Sequence, residues 1–155
     1  MAKGNGSMTT ALVGYTGFVG TTLRTQTSFD AHYNSKNIQD IDGQAYDLLI
    51  CAGAPAAKWK ANQNPQADSD NLKGLMGHLR NVQAKQLVLI STVDVYQQPI
   101  GVDEQTPIET DGHHAYGVHR YQLEQFVAAH FQRHCILRLP GLFGAGLRKN
   151  FLFDM

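Results

Sequence analysis

The segment Gly14-Tyr15-Thr16-Gly17-Phe18-Val19-Gly20 lies directly after a short apolar run, Thr10 to Val13, and directly before a helix-compatible stretch. That order reads as a strand, a glycine turn and a helix. Glycine has no Cβ, so it permits positive φ and lets backbone amides approach a pyrophosphate at the positive end of a helix. The pattern therefore points to a dinucleotide site built by Gly14, Thr16, Gly17, Phe18, Val19 and Gly20. Its spacing, G-x-x-G-x-x-G, differs from the more familiar G-x-G-x-x-G. The competing reading is a tight turn whose glycines only let the helix pack closely on the sheet.

A chain of 155 residues suits one domain with its own core, without a disulfide or metal staple. Thirteen basic and thirteen acidic residues cancel, and no basic run marks a nucleic-acid or membrane footprint. Cys51 and Cys135 lie in separate apolar segments with no C-x-x-C spacing, which suggests free thiols in a reducing, cytoplasmic setting. No apolar stretch approaches the roughly 20 residues of a membrane span. Residues 1–7 are polar and glycine-rich and read as a disordered tail or a tag remnant, leaving 8–155 for the fold.

Apolar runs alternate with helical patterns along the rest of the chain. Strands are expected at Thr10–Val13, Asp30–Asn34, Tyr46–Cys51, Gln86–Ser91 and Cys135–Leu139. Helices are expected from about Phe18 to Thr27, from Pro65 to Val82, where Leu72, Leu75, Met76 and Leu79 share a face, and from His114 to Arg133. Near-continuous apolar strands alternating with helices predict an α/β fold, a Rossmann-like doubly wound parallel sheet in three α/β/α layers, covered on both faces. Functional groups in such a sheet gather beyond the carboxyl ends of the strands. This directs attention to the loops after Val13, Asn34, Cys51 and Ile90, and adds Cys51, Ala52 and Gly53 to the cofactor-binding candidates.

Four further segments stand in a telling order: Asn71-Leu72-Lys73-Gly74, Ile90-Ser91-Thr92-Val93-Asp94-Val95-Tyr96, Tyr116-Gly117-Val118-His119-Arg120 followed by Glu124, and Arg138-Leu139-Pro140-Gly141-Leu142-Phe143-Gly144. With the glycine motif they resemble the extended short-chain dehydrogenase/reductase family, which contains NAD(P)-dependent nucleotide-sugar epimerases, dehydratases and reductases. The resemblance runs from Met8 to Gly146. It implies Thr92 as the catalytic hydroxyl, with Ser91 as its neighbour, Tyr116 as acid/base, Asn71 as support, and the Arg138–Gly144 segment near the nicotinamide. The chemistry agrees with these types. Hydride transfer at a carbonyl needs a group that moves a proton on the oxygen, and a phenol with an ordinary pKa of about 10 can do so if brought toward neutrality.

Two departures from the family pattern matter. Arg120 stands where the family has lysine, and a planar fork is a poor replacement for a compact point charge at a tight site. It could still lower the Tyr116 pKa and hold ribose hydroxyls, and both roles make Tyr116 and Arg120 candidates for cofactor contact. It could equally crowd the ribose or turn outward to pair with Glu124 four residues on. Val93 and Asp94 stand where the family's dehydratases carry an Asp-Glu pair, which argues against 4,6-dehydration. An epimerase or carbonyl reductase stays open; Asp94 has the simpler reading of a solvated loop carboxylate.

About 20 residues beyond the first glycine, where an acidic residue would bind the adenosine ribose diol of NAD, the chain has Asn34, Ser35 and Lys36. With no carboxylate to repel a 2'-phosphate, NADP is expected ahead of NAD, though an asparagine also suits a ribose diol. The histidines show no metal-ligand spacing, so no metal is expected. Trp59 either lines the site or packs under a mobile loop.

Family members continue beyond the last strand with a region that closes over the substrate, here largely absent. The chain ends on an apolar Phe151–Met155 run, as in a shortened form or an unusually small member, and its phenylalanines leave a homo-oligomer open. The expected function is an NAD(P)-dependent epimerase or reductase domain acting on a small molecule such as a nucleotide sugar. The alternatives are a non-catalytic NAD(P)-binding sensor or scaffold, and a structural domain without cofactor.

Overall fold

The computed structural model describes residues 7–147. Residues 1–6 of the expected tail, and the apolar C-terminal run, lie outside the described residues.

Five strands form one parallel sheet: β1 (Thr10–Val13), β2 (Ala31–Tyr33), β3 (Ala45–Cys51), β4 (Gln83–Thr92) and β5 (His134–Leu139), in the order β2-β1-β3-β4-β5. Four helices join them: α1 (Phe18–Gln26), α2 (Lys58–Gln63), α3 (Pro65–Leu79) and α4 (Ala115–His130). The sheet is wound outward in both directions from β1 and β3. Right-handed crossovers then put α1 on one face and α3 with α4 on the other. The result is the three-layer, Rossmann-like α/β fold that the alternation of strands and helices predicts.

Register decides which face each strand residue serves. Ala11 pairs with Leu49, Leu49 with Leu87, Val13 with Cys51 and Cys51 with Leu89. These residues join Leu72, Leu75 and Leu79 of α3 and Leu123 and Val127 of α4 in one core cluster. The opposite face carries Leu12, Ile50 and Val88 in one row and Ile90 beside Leu137 in the next. Leu12 is fully buried, but Ile50, Val88 and Ile90 are only half-buried and Leu137 is 43% exposed. The expectation of a sheet covered on both faces is thus met toward β1 and only partly toward β5 by the described residues.

Element ends shift from the expected positions, among them α4, which stops at His130. α3 ends at Leu79, and β4 starts at Gln83 because the Gln83 amide pairs with the Gln44 carbonyl across the sheet. The short α2 has no counterpart in the sequence reading, since six residues cannot display a helical apolar period. No helix among the described residues is long and apolar enough to cross a membrane.

Candidate functional site

A cavity of about 930 Å³ opens beyond the carboxyl ends of β1, β3 and β4, at the point where the strand order reverses. Gly14, Thr16, Gly17, Phe18, Val19, Asn34, Ser35, Ala52, Gly53, Asn71, Thr92, Tyr116 and Arg120 line it together. Residues spread across more than 100 positions of sequence therefore share one wall system.

The three motif glycines have different physical duties. Gly14 has φ +85°, and a Cβ there would lie 2.1 Å from the Ala52 carbonyl oxygen, so the β1 and β3 loops could not approach. A Cβ on Gly20 would lie 2.1 Å from the Gly14 carbonyl oxygen. Gly20 is buried and does not border the cavity, and its lack of a Cβ lets α1 pack against its own loop. Gly17 is the open one. It caps α1 with ordinary extended backbone, a Cβ there would meet only ordinary contact, and no side chain caps the helix. The first-turn amides beside Gly17, Phe18 and Val19 thus reach the cavity wall without a capping acceptor, where an anion is favoured.

Two other expected cofactor residues do not border the cavity. Cys51 is fully buried on the α3 side of the sheet, and burial pushes its thiol up to about 11, leaving an inert hydrophobe. Lys36 is exposed, while its amide donates to Asn34 Oδ1 at 2.9 Å in a local turn. Asn34 and Ser35 remain at the wall. Trp59 lies 56% exposed on α2 under the Lys60 ammonium, outside the cavity.

At the carboxyl end of β4 two adjacent hydroxyls part company. Ser91 pairs with Arg138 across the sheet and donates to Glu124 Oε1 at 2.6 Å, while Arg138 forks onto both Glu124 oxygens and also reaches the Tyr96 hydroxyl. Glu124 is 2% exposed and fully engaged there, so it is not the partner of Arg120. Thr92 is on the other parity. Its hydroxyl accepts from the Asp94 amide at 3.1 Å and lies 3.3 Å from Asp94 Oδ2. Asp94 borders the cavity and pairs with Lys58 at 2.7 Å.

α4 starts at the cavity. His114 caps it by accepting the Gly117 amide at Nδ1, 3.0 Å, which requires an unprotonated nitrogen. Burial, followed by the charges of His113 and Lys58, holds His114 below its ordinary value in keeping with that role. The Tyr116 amide donates to Asn62 Oδ1 of α2 at 3.0 Å, so the element missing from the sequence reading anchors the tyrosine. Burial raises the Tyr116 phenol, outweighing the pull of Arg120. Tyr116 is therefore a neutral phenol at neutral pH and not a phenolate.

Arg120 is 3% exposed. It borders the cavity and pulls on the Tyr116 phenol, and it does not pair with Glu124. Its Nη1 donates to Asp68 Oδ2 at 2.5 Å and its Nη2 to the Pro55 carbonyl at 2.5 Å, with the guanidinium carbon 4.1 Å from the Tyr116 ring centroid. Asp68 also receives His119 Nδ1 at 2.6 Å. Further residues at the wall had no signal in the sequence reading, among them Ile38, Asp70 and His78. His78 pairs with Asp42 at 2.9 Å. Among the described residues no cluster of His, Cys, Asp or Glu could hold a metal ion.

No protein-family model matches the chain, and a search of curated proteins finds no match. Solved structures do resemble it. A dTDP-4-dehydrorhamnose reductase from Bacillus anthracis str. Ames, in complex with NADP, superposes with a TM-score of 0.73 at 20% identity, over 95% of this chain and 58% of that one. MoeE5 in complex with UDP-glucuronic acid and NAD gives 0.74 at 17% identity, over 94% and 59%. A UDP-N-acetylglucosamine 4-epimerase from Methanobrevibacter ruminantium M1, in complex with UDP-N-acetylmuramic acid, gives 0.64 at 14% identity, over 84% and 54%. The chain spans less than two thirds of the length of these proteins. Identities this low carry the fold, which all of them share.

Proposed function

We propose that residues 8–155 form the NAD(P)-binding part of a reductase acting on a carbonyl of a small molecule, with a nucleotide sugar as the first class to test. The observation that carries this reading is the single cavity shared by the glycine loop, Thr92 and Tyr116. Structural relatives solved with NADP, NADPH or NAD support the cofactor.

The residues present fit a dinucleotide. The uncapped first turn of α1 suits a pyrophosphate, and Gly17 leaves room for it. Asn34 and Ser35 at the wall offer polar groups without a carboxylate, which favours NADP ahead of NAD. A bound reduced nicotinamide supplies a hydride to a carbonyl carbon. Tyr116, held neutral by burial, gives its phenolic proton to the oxygen that gains the charge, and Thr92 hydrogen-bonds that oxygen. Asn71 borders the same space as a supporting polar group.

A protonated phenol serves as an acid. The second reading is a module that binds NAD(P) without turnover, and the fixed Arg120 favours it because the guanidinium is spent on Asp68 and Pro55. Titrating the protein with NADH and NADPH by fluorescence tests the shared premise, and saturation in the micromolar range is expected. Absence of binding by both would sink each reading. Turnover of keto-sugar nucleotides with NADPH then separates the reductase from the module.

A further inference from the structure

We propose that Asp68 is a positioning residue of this site: it holds the Arg120 guanidinium against the Tyr116 ring and offsets part of its charge there. The inference rests on the reading of Tyr116 as the acid of the site.

Three elements converge on this arrangement. Pro55 comes from the loop after β3, Asp68 from α3, and Tyr116, His119 and Arg120 from α4. The Asp68 side chain is 6% exposed and accepts from both His119 and Arg120 on one oxygen. Arg120 gives one terminal nitrogen to Asp68 and the other to Pro55, and its Nε is buried with no partner among the described residues. A guanidinium placed by its own preference would not leave a buried donor unmade. Asp68 and the Pro55 carbonyl therefore dictate the pose, each held by a separate terminal nitrogen of the planar fork.

The pose has an electrical consequence. An uncompensated guanidinium 4.1 Å from the Tyr116 ring centroid would draw the phenol toward phenolate. With Asp68 ionised beside it, part of that pull on the tyrosine is offset. Around Tyr116 the other charged or titratable groups are Asp94 after β4, Lys58 of α2, and His113, His114 and His119 of the α4 segment. Among the charges acting on the phenol, Arg120 pulls it down while Asp94 and Asp68 push it up, adding to the larger effect of burial.

The test is an ultraviolet titration of tyrosinate in the cofactor-free protein. Each form is compared with its own Tyr116→Phe counterpart to isolate one phenol, within the pH range where circular dichroism reports a folded chain. Asp68→Asn should lower the Tyr116 midpoint by about one pH unit, or about tenfold more phenolate at a given pH. Asp68→Asn combined with Arg120→Gln, a neutral pair, should bring the midpoint back up. An unchanged midpoint in folded Asp68→Asn would overturn the proposal and leave Asp68 a packing residue. Should Asp68→Asn not fold, Arg120→Gln is compared with the double variant: a higher midpoint in the single variant supports Asp68, and equal midpoints overturn it. Cofactor binding is read separately, so lost NADPH affinity would count against the proposed function and leave this titration standing.

Discussion

Ser91 and Glu124 are joined by a 2.6 Å hydrogen bond, which ties the Ser91 hydroxyl to a buried carboxylate on α4. Ser91 and Thr92 both border the cavity, and the hydroxyl of Thr92, one residue on, sits in the turn that Asp94 closes. Ser91→Ala should lower stability by about 2 kcal/mol, the worth of a hydrogen bond to a charged group, and leave NADPH affinity unchanged. Thr92→Val should do the reverse, reducing carbonyl turnover about 100-fold, as loss of a donor at a developing negative oxygen does. Thermal unfolding beside a turnover assay on keto-sugar nucleotides checks both halves. Equal effects of the two substitutions would contradict the assignment.

The glycines of the first loop should separate in the same manner. Gly20→Ala places a methyl 2.1 Å from the Gly14 carbonyl oxygen, so chemical denaturation should show a clear loss of stability. Gly17→Ala has room and an ordinary backbone conformation, so its fold should persist. A methyl at the mouth of the helix should weaken NADPH binding by about tenfold, or about 1.4 kcal/mol. The measurement is the cofactor titration of each folded variant.

Asp68 should leave a mark on acid stability. Burial alone pushes its carboxyl up, but hydrogen bonds and charge from Arg120 and His119 together hold it below the ordinary value. A depressed folded-state value stabilises the protein above the unfolded-chain value, about pH 3.9, and that stability is lost as pH falls through the folded one. The difference in unfolding free energy between the native chain and Asp68→Asn should therefore be full at neutral pH and shrink below about pH 4. Urea melts at several pH values would show it, and a gap that does not begin to shrink as the pH falls below about 4 would contradict it.

Cofactor choice is open to a single substitution. Ser35 borders the cavity and Lys36 does not. Ser35→Asp supplies the carboxylate that suits a ribose diol and repels a 2'-phosphate, so NADPH affinity should fall by about tenfold or more while NADH affinity holds or rises. Lys36→Ala should leave both within about twofold if the ammonium stays outside the wall. Parallel titrations with the two cofactors decide.

What the sequence revealed and concealed follows from distance along the chain. The glycine turn, the β4 end and the start of α4 are runs of neighbouring residues, so their types and order were legible. Asp68 was not, because it meets Arg120 across 52 residues, and nothing near either one announces the other. The same holds for Pro55 and Arg120, 65 apart, and for Asn62 and Tyr116, 54 apart. The side of the sheet that Cys51 faces was hidden for a different reason. A strand that is apolar throughout has no alternation to show which residues face the helices, and only the register with Val13 and Leu89 does so. Gly14, Gly17 and Gly20 look alike as letters and are told apart only by what a Cβ would strike.

The parallel order β2-β1-β3-β4-β5 also bears on how the site comes into being. Every strand pairing here spans a crossover, and the contacts that hold Tyr116 and Arg120 close loops of more than 50 residues, the kind of topology that folds slowly. No local fragment can hold the cavity before the sheet is assembled. A ligand that fits this cavity then recognises the finished fold alone, so its affinity converts in full to protection against unfolding, about 2.7 kcal/mol at a hundred times its Kd.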